Sequence, residues 1–178
     1  MHRKHLTVWL CAVALVASLA ACGRADADAV DVAERTPFDI EVVGEDGTSA
    51  SLEAYSDGYR PGTTDTLRLG VRNGTDGPWP GCVCVQLLSP EPDGTVTPLA
   101  EEAFDLPSGG GWQREIEVQL PADLEPGTYG LALVIQSPTG PSTSVTTVHV
   151  GEDRDTPFTG DWPTRAALQA AEAACPTP

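Results

Sequence analysis

The sequence predicts an all-β fold, an antiparallel β-sandwich with a short C-terminal helix, on three observations. Short alternations of apolar and polar residues recur from Phe38 to Val150, each bounded by Gly, Pro, Asn or Asp. No helical periodicity interrupts them, and 18 glycines and 16 prolines in 178 residues favour many turns over long helices. An alanine-rich helical segment comes only afterwards, at Pro163 to Ala174.

Phe38-Asp39-Ile40-Glu41-Val42 alternates as a half-buried strand does. Glu45-Asp46-Gly47-Thr48 turns the chain, and Ser51-Leu52-Glu53-Ala54-Tyr55 alternates again. After a break at Arg60-Pro61-Gly62, Leu67, Leu69 and Val71 share one face, and Asn73-Gly74 with Asp76-Gly77-Pro78 makes the next turn. Cys82 to Leu88 forms a compact strand with Val83, Val85 and Leu87 on one face. Pro98 assigns the weak strand at Val96 to Ala100 to a sheet edge, because proline cannot donate to a ladder. Ile116, Val118 and Leu120 alternate with polar residues, and Thr128 to Gln136 is apolar enough to lie centrally. Ser144 to Val150 closes the set of about eight strands. In Pro163 to Ala174 proline stands near the first turn of a helix whose apolar stripe is mostly alanine, too thin to hold it on a sheet unaided.

Charge and composition exclude several functions. Ten Lys and Arg against 26 Asp and Glu, a formal charge of −16, leave little to bind phosphates, so no nucleic-acid partner is expected. The acids are scattered, which reads as surface solubility rather than as a cation site or a surface for a basic partner. Asp26 and Asp28, or Asp153 and Asp155, lack a full Ca²⁺ loop.

The N-terminus has the build of an export signal. Arg3 and Lys4 precede an uncharged apolar run, Leu6 to Leu19, shorter than a membrane span. It closes Leu19-Ala20-Ala21-Cys22, which resembles the lipobox of bacterial lipoproteins. The resemblance implies cleavage before Cys22, lipidation of its thiol with acyl chains such as palmitate, and retention at the cell membrane or outer membrane. The plain alternative is an ordinary secretory signal in which Cys22 is incidental. With residues 1–21 as signal peptide, 22–36 form an acidic lipidated tether, 37–150 the sandwich and 151–178 a loop with the helix.

Leu124-Glu125-Pro126-Gly127-Thr128-Tyr129, ahead of the most apolar strand, resembles the tyrosine corner of immunoglobulin-like domains. That implies an immunoglobulin-like or fibronectin-like sandwich in which Tyr129 opens the penultimate strand and bonds back across the corner. Leu131 stands where the inter-sheet cysteine of antibody-type domains would be, so their disulfide is not implied. A jelly roll is the alternative fold.

With Cys11 lost and Cys22 lipidated, Cys82, Cys84 and Cys175 remain. Exported thiols tend to oxidise, and Cys82 and Cys84 share one strand face, opposite Val83 and Val85. A disulfide from Cys175 to Cys84 or Cys82 would pin the helix to the outer face of the sheet. The alternatives are a strained, reducible Cys82–Cys84 bridge, a Cu(I) or Zn(II) site made by Cys82, Cys84 and Cys175 with or without His149, or a free thiol or intermolecular bridge. Conventional catalysis is not expected. His149 is the single histidine beyond the leader, and no Gly-x-Ser-x-Gly elbow, phosphate loop or His-Glu-x-x-His occurs. Trp79, Trp112 and Trp162 read as rim packing before they read as a sugar platform, and Asn73-Gly74-Thr75 as a turn before a glycosylation site. The expectation is a non-enzymatic envelope lipoprotein without cofactor or bound metal, serving as a binding or scaffold module for an envelope or extracellular protein or glycan. The alternative is a thiol-redox or soft-metal accessory protein working through Cys82-Val83-Cys84.

Overall fold

The computed structural model describes residues 37–55, 59–90, 94–151 and 163–177. Cys22, the acidic segment with Asp26 and Asp28, and Asp153, Asp155 and Trp162 lie outside the described residues. Among the described residues, eight strands form two antiparallel four-stranded sheets. The first contains β1 (Pro37–Val43), β2 (Ser49–Tyr55), β3 (Thr64–Arg72) and β6 (Gly111–Gln119), in the order β1-β2-β3-β6. The second contains β4 (Trp79–Leu88), β5 (Val96–Leu106), β7 (Gly127–Ser137) and β8 (Gly140–Val150), in the order β5-β4-β7-β8. A helix, α1 (Arg165–Ala174), follows them. The all-β sandwich with a C-terminal helix is therefore the observed architecture.

Alternation explains the core. Leu52, Leu67, Leu69 and Val118 point inward from the first sheet and meet Val83, Val85, Leu131, Leu133 and Ile135 from the second. All are essentially inaccessible, and each side chain so buried is worth roughly 1.5–3 kcal/mol. Strand β7 pairs with β4 on one side and β8 on the other, and every residue from Thr128 to Gln136 is buried. Cover on both faces is the reason its sequence shows no alternation.

Strand β5 runs further than its sequence suggests. The expected strand ended at Ala100, but the ladder with β4 continues to Leu106 through the acidic Glu101, Glu102 and Asp105. Pro98 does lie on an edge strand, beside a register shift opposite Val85 and Gln86. Carboxylates on that edge stay in water and discourage pairing with another chain. Between β5 and β6 the sandwich is closed by aromatics. The buried Trp79 meets Phe104 edge to face, with ring centroids 4.6 Å apart, and Phe104 in turn meets Trp112 at 6.3 Å. Arg114 lies 4.6 Å over Trp112 and pairs with Glu102. Gly81 permits this, since a Cβ there would stand 2.5 Å from the Phe104 ring.

Four turns, β1–β2, β3–β4, β5–β6 and β7–β8, gather at one end. Asn73, fully buried, donates through Nδ2 to the carbonyls of Gly77 (2.8 Å), Leu106 (3.1 Å) and Pro107 (3.0 Å). Its Oδ1 accepts from the Thr75 amide at 2.9 Å. This asparagine is a turn residue, as the sequence reading preferred, and its amide nitrogen is committed. Ser108 Oγ donates to the Thr75 carbonyl at 2.8 Å, tying the β5–β6 turn to the β3–β4 turn. Asp46 is pushed up by burial, but hydrogen bonds from Thr48, Ser137 and Thr139 outweigh this and hold its carboxyl below the ordinary value, linking the β1–β2 and β7–β8 turns.

Candidate functional site

The outer face of the second sheet carries the chemically loaded residues. With Val83 and Val85 in the core, Cys82 and Cys84 project from the opposite face of β4. Outward does not mean exposed here, because α1 covers them and each is 2% accessible. Leu88, Ala132, Val134 and Ala171 complete an apolar pocket around the sulfurs. Cys175, directly after α1, is bonded to Cys84 across a Cα–Cα distance of 5.8 Å, and Cys82 remains a buried free thiol. Of the two partners that the sequence left open for Cys175, the structure selects Cys84. The three sulfurs nevertheless lie within 4.8 Å of one another.

The helix needs this attachment. Thr164 caps its first turn, its Oγ1 accepting from the Ala167 amide at 3.2 Å, so Pro163 precedes the cap. Only Ala167 and Ala171 of α1 are buried, a small apolar contact. At the other end Gln136 Nε2 donates to the carbonyls of Glu172 (3.0 Å) and Cys175 (2.9 Å). These are carbonyls that a helix C-terminus leaves without intrahelical partners. Thr143 Oγ1 donates to Glu172 Oε1 at 3.0 Å, adding a tie from β8. Gln136, Thr143 and Thr164 were not singled out from the sequence. The one signal for Gln136 is its position, a long polar side chain ending the apolar run from Leu131 to Ile135.

Electrostatics keep Cys82 protonated. Burial pushes its thiol pKa up, and the negative charge of Glu101 on β5 pushes in the same direction. Its Sγ makes a long approach to the Val83 carbonyl at 3.9 Å. Gln86, further along β4 and also buried, has an Oε1 with no partner among the described residues.

The remaining sequence-chosen residues stand apart from this cluster. Tyr129 Oη donates to the Glu125 carbonyl at 2.8 Å, closing the turn that opens β7. His149 pairs with Thr128 across the β7–β8 ladder, its Nδ1 3.2 Å from Thr128 Oγ1, and it does not join the sulfurs. Trp79 donates from Nε1 to the Gln136 carbonyl at 3.1 Å inside the molecule, and Trp112 is half-buried under Arg114. Neither ring is offered as an open platform. The outer face of the first sheet bears a shallow groove of ≈ 330 Å³ lined by Asp39, Glu53, Arg68 and Glu115, with Arg68 bridging the two glutamates. No helix of the described residues is long and apolar enough to cross a membrane.

No family model matches the chain, and no curated protein matches it. Solved structures resemble it at low identity. A β-glucosidase from Listeria innocua, in complex with isofagomine, is 16% identical with a TM-score of 0.44, over 59% of this chain and 16% of that one. The superoxide reductase neelaredoxin from Ignicoccus hospitalis is 12% identical with a TM-score of 0.42, over 72% and 91%. The C-terminal domain of wzt is 13% identical with a TM-score of 0.40, over 71% and 89%. The chain thus spans a small fraction of the glucosidase and most of the other two.

Proposed function

We propose that this protein is an exported lipoprotein, anchored through Cys22, whose immunoglobulin-like sandwich is a non-catalytic binding or scaffold module for an envelope protein or glycan. The observation that carries the binding role is the gathering of four turns at one end of the sandwich, tied in two pairs, β3–β4 to β5–β6 through Asn73 and Ser108 and β1–β2 to β7–β8 through Asp46. Loops held by a rigid scaffold are where such domains meet partners. The immunoglobulin-like assignment is supported by strand order. With β3, β6, β4, β7 and β8 as strands B, E, C, F and G, the B–E pair lies on one sheet and C–F–G on the other. Trp79 is then the buried tryptophan of strand C, and the Tyr129–Glu125 bond is the corner at strand F. Support for the anchor is the motif Leu19-Ala20-Ala21-Cys22 at the end of the apolar leader.

Expression in a bacterial host tests the anchor. The chain is expected in the membrane fraction with a diacylglyceryl mass on a peptide beginning at Cys22, and Cys22→Ser is expected to release it. Equal membrane retention of both chains overturns the anchor. Photo-crosslinkers placed at Gly77, Ser108 and Thr139 in the native envelope test the binding end. They are expected to trap one common partner that a crosslinker at Glu117 on the sheet face does not. Identical products from all four positions overturn the assignment of that end.

A further inference from the structure

A helix staple needs two cysteines, yet this site holds three. Cys82 is inaccessible to solvent, and its nearest sulfurs are those of the staple. We propose that, once Cys84–Cys175 is reduced, Cys82, Cys84 and Cys175 form a three-sulfur site for a soft monovalent cation, Cu(I), of which the disulfide is the closed, oxidised state.

The geometry needs little change. Three thiolates around one metal at bonds of about 2.3 Å stand about 4.0 Å apart. The sulfurs here already lie within 4.8 Å of one another. Cys82 and Cys84 are fixed on β4 by ladders to β5 and β7, whereas Cys175 follows a helix with only two buried alanines. The adjustment therefore falls on the weakly packed side. Metal and disulfide attach α1 at the same point, so either state keeps the helix on the sheet.

The donor set selects the ion. Thiolate sulfur prefers soft cations, and Cu(I) is satisfied by few ligands, whereas structural zinc takes four. Among the described residues no histidine or carboxylate joins the three cysteines, and the lining of Leu88, Ala132, Val134 and Ala171 offers no polar atom of its own side chains.

The steps balance. An external dithiol gives two electrons and two protons to Cys84–Cys175, leaving two thiols and becoming a disulfide itself. Cu(I) then replaces the protons on the three sulfurs without changing oxidation state. In reverse the ion leaves, Cys82 regains its proton, and an exported disulfide oxidant takes two electrons to reclose the bridge.

The test uses the full chain with Cys11→Ser and Cys22→Ser, so that these three cysteines are the only thiols left. It is reduced with a phosphine, freed of reductant without air, and titrated with Cu(I) held by bicinchoninate. The reduced chain is expected to withdraw a single equivalent, with ultraviolet thiolate-to-copper absorption, while the oxidised chain withdraws none. Adding Cys82→Ser is expected to weaken the competition by roughly tenfold or more, the scale on which loss of a supporting group acts at metal sites. Failure to withdraw copper, or equal withdrawal by the Cys82→Ser chain, overturns the proposal. Circular dichroism accompanies each step. If reduction alone unfolds the chain, recovery of the sheet signal on adding Cu(I) supports the site, and absence of recovery overturns it.

Discussion

Two rows of residues, one across each sheet, make the molecule's sharpest contrast. Across the first sheet the register aligns Asp39, Glu53, Arg68 and Glu115 on the outer face. Arg68 bonds to Glu53 at 3.0 Å and approaches Glu115 at 4.0 Å, with all three side chains open to water. Across the second sheet the register aligns Glu101, Cys84, Val134 and Thr143. Only Glu101, on the edge strand β5, is exposed, and Cys84 and Val134 lie beneath α1. Both rows follow the same period of two, but one ends in solvent and the other in a second, small core. The covered face depends on a few specific attachments, whereas the solvated face depends on none. Substitutions should separate them accordingly.

The largest effect is expected from Cys175→Ala, which removes a bridge between residues 91 apart in sequence. The chain-entropy model assigns such a loop about 4 to 5 kcal/mol. Urea unfolding of the variant under non-reducing conditions should show that loss, and the amides of α1 should exchange far faster than those of β4. A midpoint unchanged from the native chain would mean that α1 packs well enough without its staple. Next comes Gln136→Leu. It leaves the Glu172 and Cys175 carbonyls without their donor, and such a loss costs roughly 1–3 kcal/mol for a buried polar group. Hydrogen exchange should place the damage at the C-terminal turn of α1.

How much of this was legible follows from what each row packs against. The strands of the first sheet alternate because water takes one face, so Leu67, Leu69 and Val71 could be read directly from their spacing. The apolar run of β7 announced a central strand for the opposite reason, cover on both faces. The spacing of Cys82 and Cys84 fixed their common face but not their depth, since burial is set by a helix that begins only at Arg165. For the same reason spacing left both cysteines as candidates for Cys175. The acidic half of β5 was missed because its charges describe an edge, not a core-facing strand. Gln136 was missed because its partners are main-chain carbonyls, which leave no mark in the sequence.

Tyr129 lies between the extremes, a core residue whose hydroxyl makes one bond, to the Glu125 carbonyl. Tyr129→Phe should cost about 1 kcal/mol, the usual net value of one such bond. Its pH dependence is a second readout. Burial first, then the charge of Glu125, push the phenol pKa above its ordinary value of 10.0. A raised folded-state pKa means that this contribution is complete below the unfolded value and is lost as pH climbs through the folded one. Above pH 10 the native chain should therefore lose stability more steeply than the Phe variant. Parallel curves would show that Tyr129 ionises as freely in the fold as outside it.

The smallest effect is expected where the drawing of contacts is busiest. Arg68 touches two glutamates on neighbouring strands, and its loss removes both ion pairs of that row. The pairs sit in water, however, with side chains 51%, 44% and 70% exposed, so solvent and salt already screen most of their attraction. Long side chains also lose rotamer freedom when they pair, which offsets part of what remains. Arg68→Ala should therefore shift stability by less than about 1 kcal/mol, and added salt should shrink even that. The comparison with Gln136→Leu is decisive because both variants remove two polar contacts from one side chain. If Arg68→Ala costs as much as Gln136→Leu, burial is not what separates the two faces. The solvated row would then be as much a structural element as the sulfurs under α1.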